Sequence, residues 1–300
     1  MLTKFCYLLL FFSQGVAASP WWTGPLLAPA GKTIPPGHVN FEPYAFYTLY
    51  AEQFRNFEAL PIVTLGILDF LDIQASVPYD VSWKGGQSGK DFGDSSFGVG
   101  LQLFRQKENS WVPNVRLLVQ EIFPSGKFNH LNPNKLGTDQ TGIGSYQTLV
   151  GLNFQKLTHF YGEHYLRTRL GLAVVSPSDV LVEGFNAFGG SPTTHGKVKL
   201  NNSYSVNLAF EYSLTQHWVP VFELLYTETG TSTFAGNPGF TPGGAVGSIG
   251  SGGSSNISLA PALEYNFNES IGIIAGVWFS VTGPHAARFV SNVIALNIYF

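Results

Sequence analysis

From residue 38 onward the chain repeats one pattern that few folds accept: short segments in which apolar and polar side chains alternate. Tyr204, Val206, Leu208, Phe210 and Tyr212 fall on one face, opposite Ser205, Asn207, Ala209, Glu211 and Ser213. Ile257, Leu259, Pro261, Leu263 and Tyr265 oppose Asn256, Ser258, Ala260, Ala262 and Glu264. In residues 289–300, Ile294, Leu296, Ile298 and Phe300 oppose Ala295, Asn297 and Tyr299. A period of two is that of a β-strand, because successive side chains point to opposite faces of the pleat. The pattern predicts twelve strands, at about 38–48, 61–68, 70–79, 92–104, 113–123, 145–156, 163–175, 203–213, 218–228, 255–267, 270–281 and 289–300. The fold class expected is all-β.

Two arrangements can use such strands, and the connections choose between them. A soluble sandwich turns its apolar faces inward; a transmembrane barrel turns them outward to lipid. Connections after the odd strands read as mostly long and rich in Gly, Pro, Asn and Ser. Those after the even strands read as mostly short, as at Thr215-Gln216 and Asn268-Glu269. Long and short alternate when the two ends of the barrel face different compartments. Charged residues make up 12% of the chain, far below the roughly 25% of a soluble domain, whereas aromatics reach 15%. Several aromatics sit where strands end, as in Tyr212-Ser213-Leu214-Thr215-Gln216-His217-Trp218, which suits an interfacial girdle. No apolar run after residue 18 is long enough for a spanning helix. The expectation is a transmembrane, antiparallel, up-and-down β-barrel of about twelve strands, an even number that leaves both ends of the chain on one side.

The first residues add a destination. Lys4, an apolar run from Phe5 to Phe12 and the small residues before Ser19 describe a signal peptide, residues 1–18, cleaved after Ala18. Cys6 is the single cysteine and falls inside it, so the mature chain is expected to lack disulfides and thiolate sites. Residues 19–37 are crowded with proline and glycine and predict an irregular lead-in or a plug of the barrel mouth. Residues 38–300 form the barrel. Its closing strand should pair with the strand at 38–48, leaving no free edge.

Inward-facing charges are the candidate site. Glu42, Asp72, Arg116, Arg167, Arg169, Glu211, Glu223 and Glu264 fall on the polar faces, predicted to line the lumen. Mixed signs there favour mutual pairing, because an unpaired charge away from water is costly. Arg167 and Arg169, near the same end as Asp72, Glu211 and Glu264, are expected to pair with these acids, and some of the set to line a solute path. Other chemistry has little to stand on. His159 and His164 are five apart across a turn and no HExxH occurs, so neither metal nor cofactor is expected. Ser178-Asp179 and His195 share the loop 176–202, yet no G-x-S-x-G accompanies them. The net charge of −3 excludes a nucleic-acid partner as the main reading.

Residues 289–300 resemble the closing strand of bacterial outer-membrane barrels, whose terminal aromatic helps the assembly machinery recognise them. Gly24-Pro25-Leu26-Leu27-Ala28-Pro29-Ala30-Gly31, followed by Pro35 to Tyr44, and Gly66 to Tyr79 with its turn Asp69, are similar to a family of outer-membrane proteins. That family is described as a component of the MetA pathway of phenol degradation and as transporter-like. The resemblance implies residence in the outer membrane of a Gram-negative bacterium and uptake of small aromatic or hydrophobic solutes. It also implies outer-membrane lipid and, through Phe300, the barrel assembly machinery as partners. It transfers no catalytic residue. The alternatives are a surface adhesin using loops 176–202 and 229–254, and a barrel enzyme acting on lipids.

Overall fold

The computed structural model describes residues 20–107 and 110–300; the predicted signal peptide lies outside them. The strands are β1 (Val39–Tyr50), β2 (Arg55–Leu68), β3 (Leu71–Ser76), β4 (Tyr79–Lys84), β5 (Gln87–Phe92), β6 (Ser95–Phe104), β7 (Asn114–Phe123), β8 (Gln147–Tyr161) and β9 (His164–Pro177). They continue with β10 (Val180–Glu183), β11 (His195–Lys199), β12 (Ser203–Tyr212), β13 (Trp218–Thr229), β14 (Thr233–Asn237), β15 (Ser254–Asn266), β16 (Ile271–Thr282) and β17 (Phe289–Tyr299).

Two pairs of these act as single staves. β3 and β4 both pair with β2 in one continuous register, from Ile62 opposite Ser76 to Ala59 opposite Tyr79, broken at Val77-Pro78 where proline has no N–H to give. β6 and β5 follow along β3 and β4, with a one-residue shift of register at Gly93-Asp94, from Ser76 opposite Ser96 to Tyr79 opposite Phe92. β10, β11 and β14 form a separate small sheet. Twelve staves remain, and β1 pairs with β2 on one side and β17 on the other. The sheet is a closed, antiparallel, twelve-stranded barrel.

The alternation comes out as a lipid-facing belt. Val63, Phe97, Val119, Val150, Val206, Leu224, Ile257, Leu263, Ile294 and Leu296 point outward and are exposed, while their neighbours Thr64, Leu118, Asn207, Glu223, Ser258, Glu264 and Ala295 are buried inside. Glu121 breaks the outer apolar face close to the end of β7, where Thr148 Oγ1 donates to it at 2.7 Å. Aromatic stacking marks the lower rim, the end where Val39 and Phe300 meet. Trp218 lies 4.6 Å from Tyr265, and Tyr265 5.0 Å from Phe267.

The upper end departs from expectation. β2 starts at Arg55 rather than near 61, and the strands read as ending near 79 and starting near 92 run on to a tight Gly85-Gly86 turn. Both glycines have positive φ, which a two-residue hairpin of this hand requires. The upper connections are therefore long only at 124–146, 178–202 and 230–253. At the lower end 105–113 is longer than a tight turn. The loops 176–202 and 229–254 carry structure of their own. β14 pairs with β11, and β11 with β10, over a small core of Val180, Val182 and Val198 against Phe128, Phe188, Phe234 and Ile249. The apolar residues in these loops were too few and too scattered to announce a core until three loops came together.

Candidate functional site

The inward charges are held in two ways. Arg116 Nη2 donates to Asp72 Oδ1 at 2.6 Å, with both side chains almost fully buried. On β9 and β12, Arg167 Nε donates to Glu211 Oε2 at 2.7 Å and its Nη2 to Oε1, while Arg169 Nε reaches Oε2 at 3.1 Å. Of the lower-end acids expected to pair with these arginines, Glu211 does, whereas Asp72 pairs with Arg116 and Glu264 with backbone. A charge-assisted, two-pronged bond is the arrangement that best offsets desolvation of a guanidinium.

Two further acids, Glu223 and Glu264, bind backbone. Residues 20–37 have almost no regular structure, so their N–H groups need partners from elsewhere. The barrel wall supplies them. Glu264 Oε2 accepts Thr23 N–H at 2.9 Å, and Glu223 accepts Leu27 N–H at 3.1 Å and Ala28 N–H at 2.7 Å. Further along, Gln155 accepts Gly31 N–H at 3.2 Å, Gln102 accepts Thr33 N–H at 2.8 Å and Asp72 accepts Ile34 N–H at 3.0 Å. Arg169 Nη1 returns a bond to Ala28 O, and the Arg167 guanidinium lies 4.5 Å over the Trp22 ring. The segment therefore crosses the barrel interior from the β13–β15 wall to the β3–β6 wall.

Apolar packing holds the same segment. Leu26 is buried against Val219, Val221, Ala260, Ile274, Val293 and Ala295, with Trp22 and Leu27 beside it. An interior lined wholly by polar faces was expected; this wall corrects it. Val219 and Val221 are inward although their outward neighbours Trp218 and Phe222 are as apolar, so alternation carried no contrast there. Gln102, Gln155 and Asn266 were also missed as contacts of 20–37. Their inward parity was readable, but not what they would touch.

Beside this segment a cavity of about 780 Å³ remains. Residues 20–34 form one side and β17, β1, β2, β3 and β7 the other, with Gln155 of β8 and Arg167 and Arg169 of β9 also lining it. Tyr44, Phe46, Leu60, Ile62 and Leu118 give it an apolar middle, and Asn40, Glu42, Thr64 and Asn297 a polar lower part. Glu42 accepts a hydrogen bond from Asn297 Nδ2 at 3.3 Å. All eight predicted lumenal residues face the interior: Asp72 and Arg116 meet, Arg167, Arg169 and Glu211 meet, Glu223 and Glu264 take backbone from 20–37, and Glu42 stands on the open wall.

The other candidate groups are scattered. His159 stacks on Tyr165 and His164 on Tyr212, and no cluster of three metal-binding side chains exists among the described residues. Ser178 Oγ takes Tyr146 N–H at 3.1 Å, whereas His195 lies on β11 opposite Glu183.

No family model and no curated protein matches the chain. Among solved structures it is similar to an outer membrane channel from Pseudomonas putida F1, with 14% identity and a TM-score of 0.68, covering 91% of this chain and all of that one. The NanC porin covers 86% of this chain at 10% identity and a TM-score of 0.44, and the KdgM porin 86% at 8% and 0.43. The first likeness shows a shared outer-membrane barrel fold; the two porins overlap too loosely to add to it.

Proposed function

We propose that this chain is a passive channel of the bacterial outer membrane that admits small solutes along the β1–β2 wall. In this reading residues 1–18 are a signal peptide, 19–37 an internal plug and 38–300 the barrel. The observation that carries it is the cavity of about 780 Å³ left between the plug and that wall. Twelve strands enclose a lumen wider than the filled eight-stranded case and narrower than an open 16–18-stranded porin. An internal segment then sets the remaining bore. The apolar middle formed by Tyr44, Phe46, Leu60, Ile62 and Leu118 supports solutes with an aromatic or other hydrophobic body, as the family resemblance implies. Glu42, Asp72, Arg116, Arg167 and Arg169 all line this cavity, and Glu42 is the one of the five with no ion pair among the described residues. Outer-membrane lipid surrounds the belt, and the assembly machinery reads the last strand through Phe300.

Planar-bilayer recording tests this. The intact protein should give small, steady conductance steps, and deletion of residues 20–36 should enlarge them several-fold. No conductance from either form, with solute uptake by cells unchanged on deletion of the whole protein, would overturn the channel reading.

A further inference from the structure

The lumenal carboxylates differ in what they already hold. Asp72 and Glu211 are taken by arginines, Glu223 and Glu264 by N–H groups of residues 23–28. Glu42 makes no ion pair among the described residues, and it lines the cavity. Two positions away on the same inner face of β1, Asn40 also lines the cavity; it is 9% exposed and its Oδ1 accepts no hydrogen bond among the described residues. Residues two apart on a strand lie roughly 7 Å apart on one face, within reach of a single small molecule. A buried acceptor left without a donor is unfavourable, and such groups rarely go unpartnered. Continuing up the inner face, Tyr44 stands opposite Leu60, and Phe46 follows. The wall thus changes from a carboxylate whose one side-chain donor is Asn297 and an Asn40 Oδ1 without any, at its lower end, to an apolar strip above.

We propose that Glu42 and Asn40 form a solute-recognition subsite for molecules with an apolar body and a terminal hydrogen-bond donor, a hydroxyl or an ammonium. The donor points down to the Glu42 carboxylate, a hydroxyl giving its one hydrogen there and an ammonium having others for Asn40 Oδ1, and the body lies along Tyr44, Leu60 and Phe46. Selection follows from chemistry: an analogue lacking the donor adds nothing to the single bond Glu42 takes from Asn297, leaves Asn40 Oδ1 unpaired and gains only the apolar contact. The proposal deepens the channel reading by naming the solute class.

Titration calorimetry on the purified mature protein in detergent, against a detergent blank, tests it with three probes of one skeleton: cyclohexylmethanol, its methyl ether and protonated cyclohexylmethylamine. The alcohol and the ammonium should bind about tenfold or more tightly than the ether, the usual effect of one good hydrogen bond to a charged group. Glu42→Gln keeps a neutral acceptor, so it should weaken the ammonium about tenfold and the alcohol less. Glu42→Leu should weaken both to the level of the ether, with heat-modifiable gel migration verifying a formed barrel. Equal affinity for the three probes, binding of the ammonium alone, or unchanged binding in Glu42→Gln and Glu42→Leu would each overturn the subsite. If Glu42-dependent binding persists while bilayers show no conductance, it is the channel reading that fails and the subsite that stands.

Discussion

Arg116 and Asp72 are paired across a strand that separates them: the guanidinium on β7 passes over β6 at Gly100 to reach the carboxylate on β3 at 2.6 Å. Any Cβ at Gly100 would collide with both partners. This is a place where glycine is required by a close approach rather than by its φ.

Gly100→Ala should therefore separate the pair. Breaking a buried ion pair costs about 3 kcal/mol, and here Asp72 also holds Ile34 N–H, so the plug loosens with it. A lower urea midpoint for loss of heat-modifiable migration would show the effect. Gly98→Ala, whose nearest atoms at 3.1–3.3 Å are side-chain atoms of Gln74, Gln120 and Leu118, is expected to be much milder.

Glu223 is fully buried and takes two consecutive N–H groups from residues 27 and 28. Glu223→Leu leaves both donors without an acceptor, at about 1–3 kcal/mol each. The barrel should still assemble, because the strand ladder is intact. Residues 20–37 should become sensitive to protease, and conductance should rise and grow noisy. Glu223→Gln, which retains a carbonyl acceptor, should fall between.

The next residue on β13 reads the opposite solvent. Leu224 points outward near the middle of its strand. Leu224→Arg should cost about 2–4 kcal/mol of folding in lipid vesicles, the usual penalty near the bilayer midplane. Conductance of the fraction that folds should be unchanged. A variant that folds equally well would argue that this face does not meet hydrocarbon.

Asp139, in the upper loop 124–146, offers a pH test. Burial alone would push its carboxyl up, but Asn132 N–H at 3.0 Å and Lys127 Nζ at 2.8 Å outweigh it and hold it below the usual carboxylate range. A depressed folded value means that its contribution is present above the ordinary carboxylate pKa and is lost as pH falls through the lower, folded one. Proteolysis of this loop should rise with acidification below about pH 4, and Asp139→Asn should be cleaved readily at neutral pH as well.

How far the site was legible depends on what kind of information each part needed. The inward position of Glu211 or Glu264 follows from parity along one strand, a local property. Their partners do not. Thr23 and Glu264 are 241 residues apart, and Leu27 and Glu223 are 196 apart; nothing in a proline-rich stretch says which distant acceptors will satisfy its N–H groups. The Val219–Val293 wall failed for a related reason, since strands apolar on both faces have no contrast to read.

By itself the sequence determined that the strands must close: amphipathic staves of period two, poor in charge and with no spanning helix, leave every edge costly in lipid until β17 meets β1. Only the tertiary structure decided what fills the ring. The interior of a twelve-stranded barrel is wide enough to leave a choice. Buried carboxylates seeking donors and unpaired backbone seeking acceptors settled it by drawing residues 20–37 across the interior from β15 to β3, leaving the cavity and Glu42 of β1 beside them.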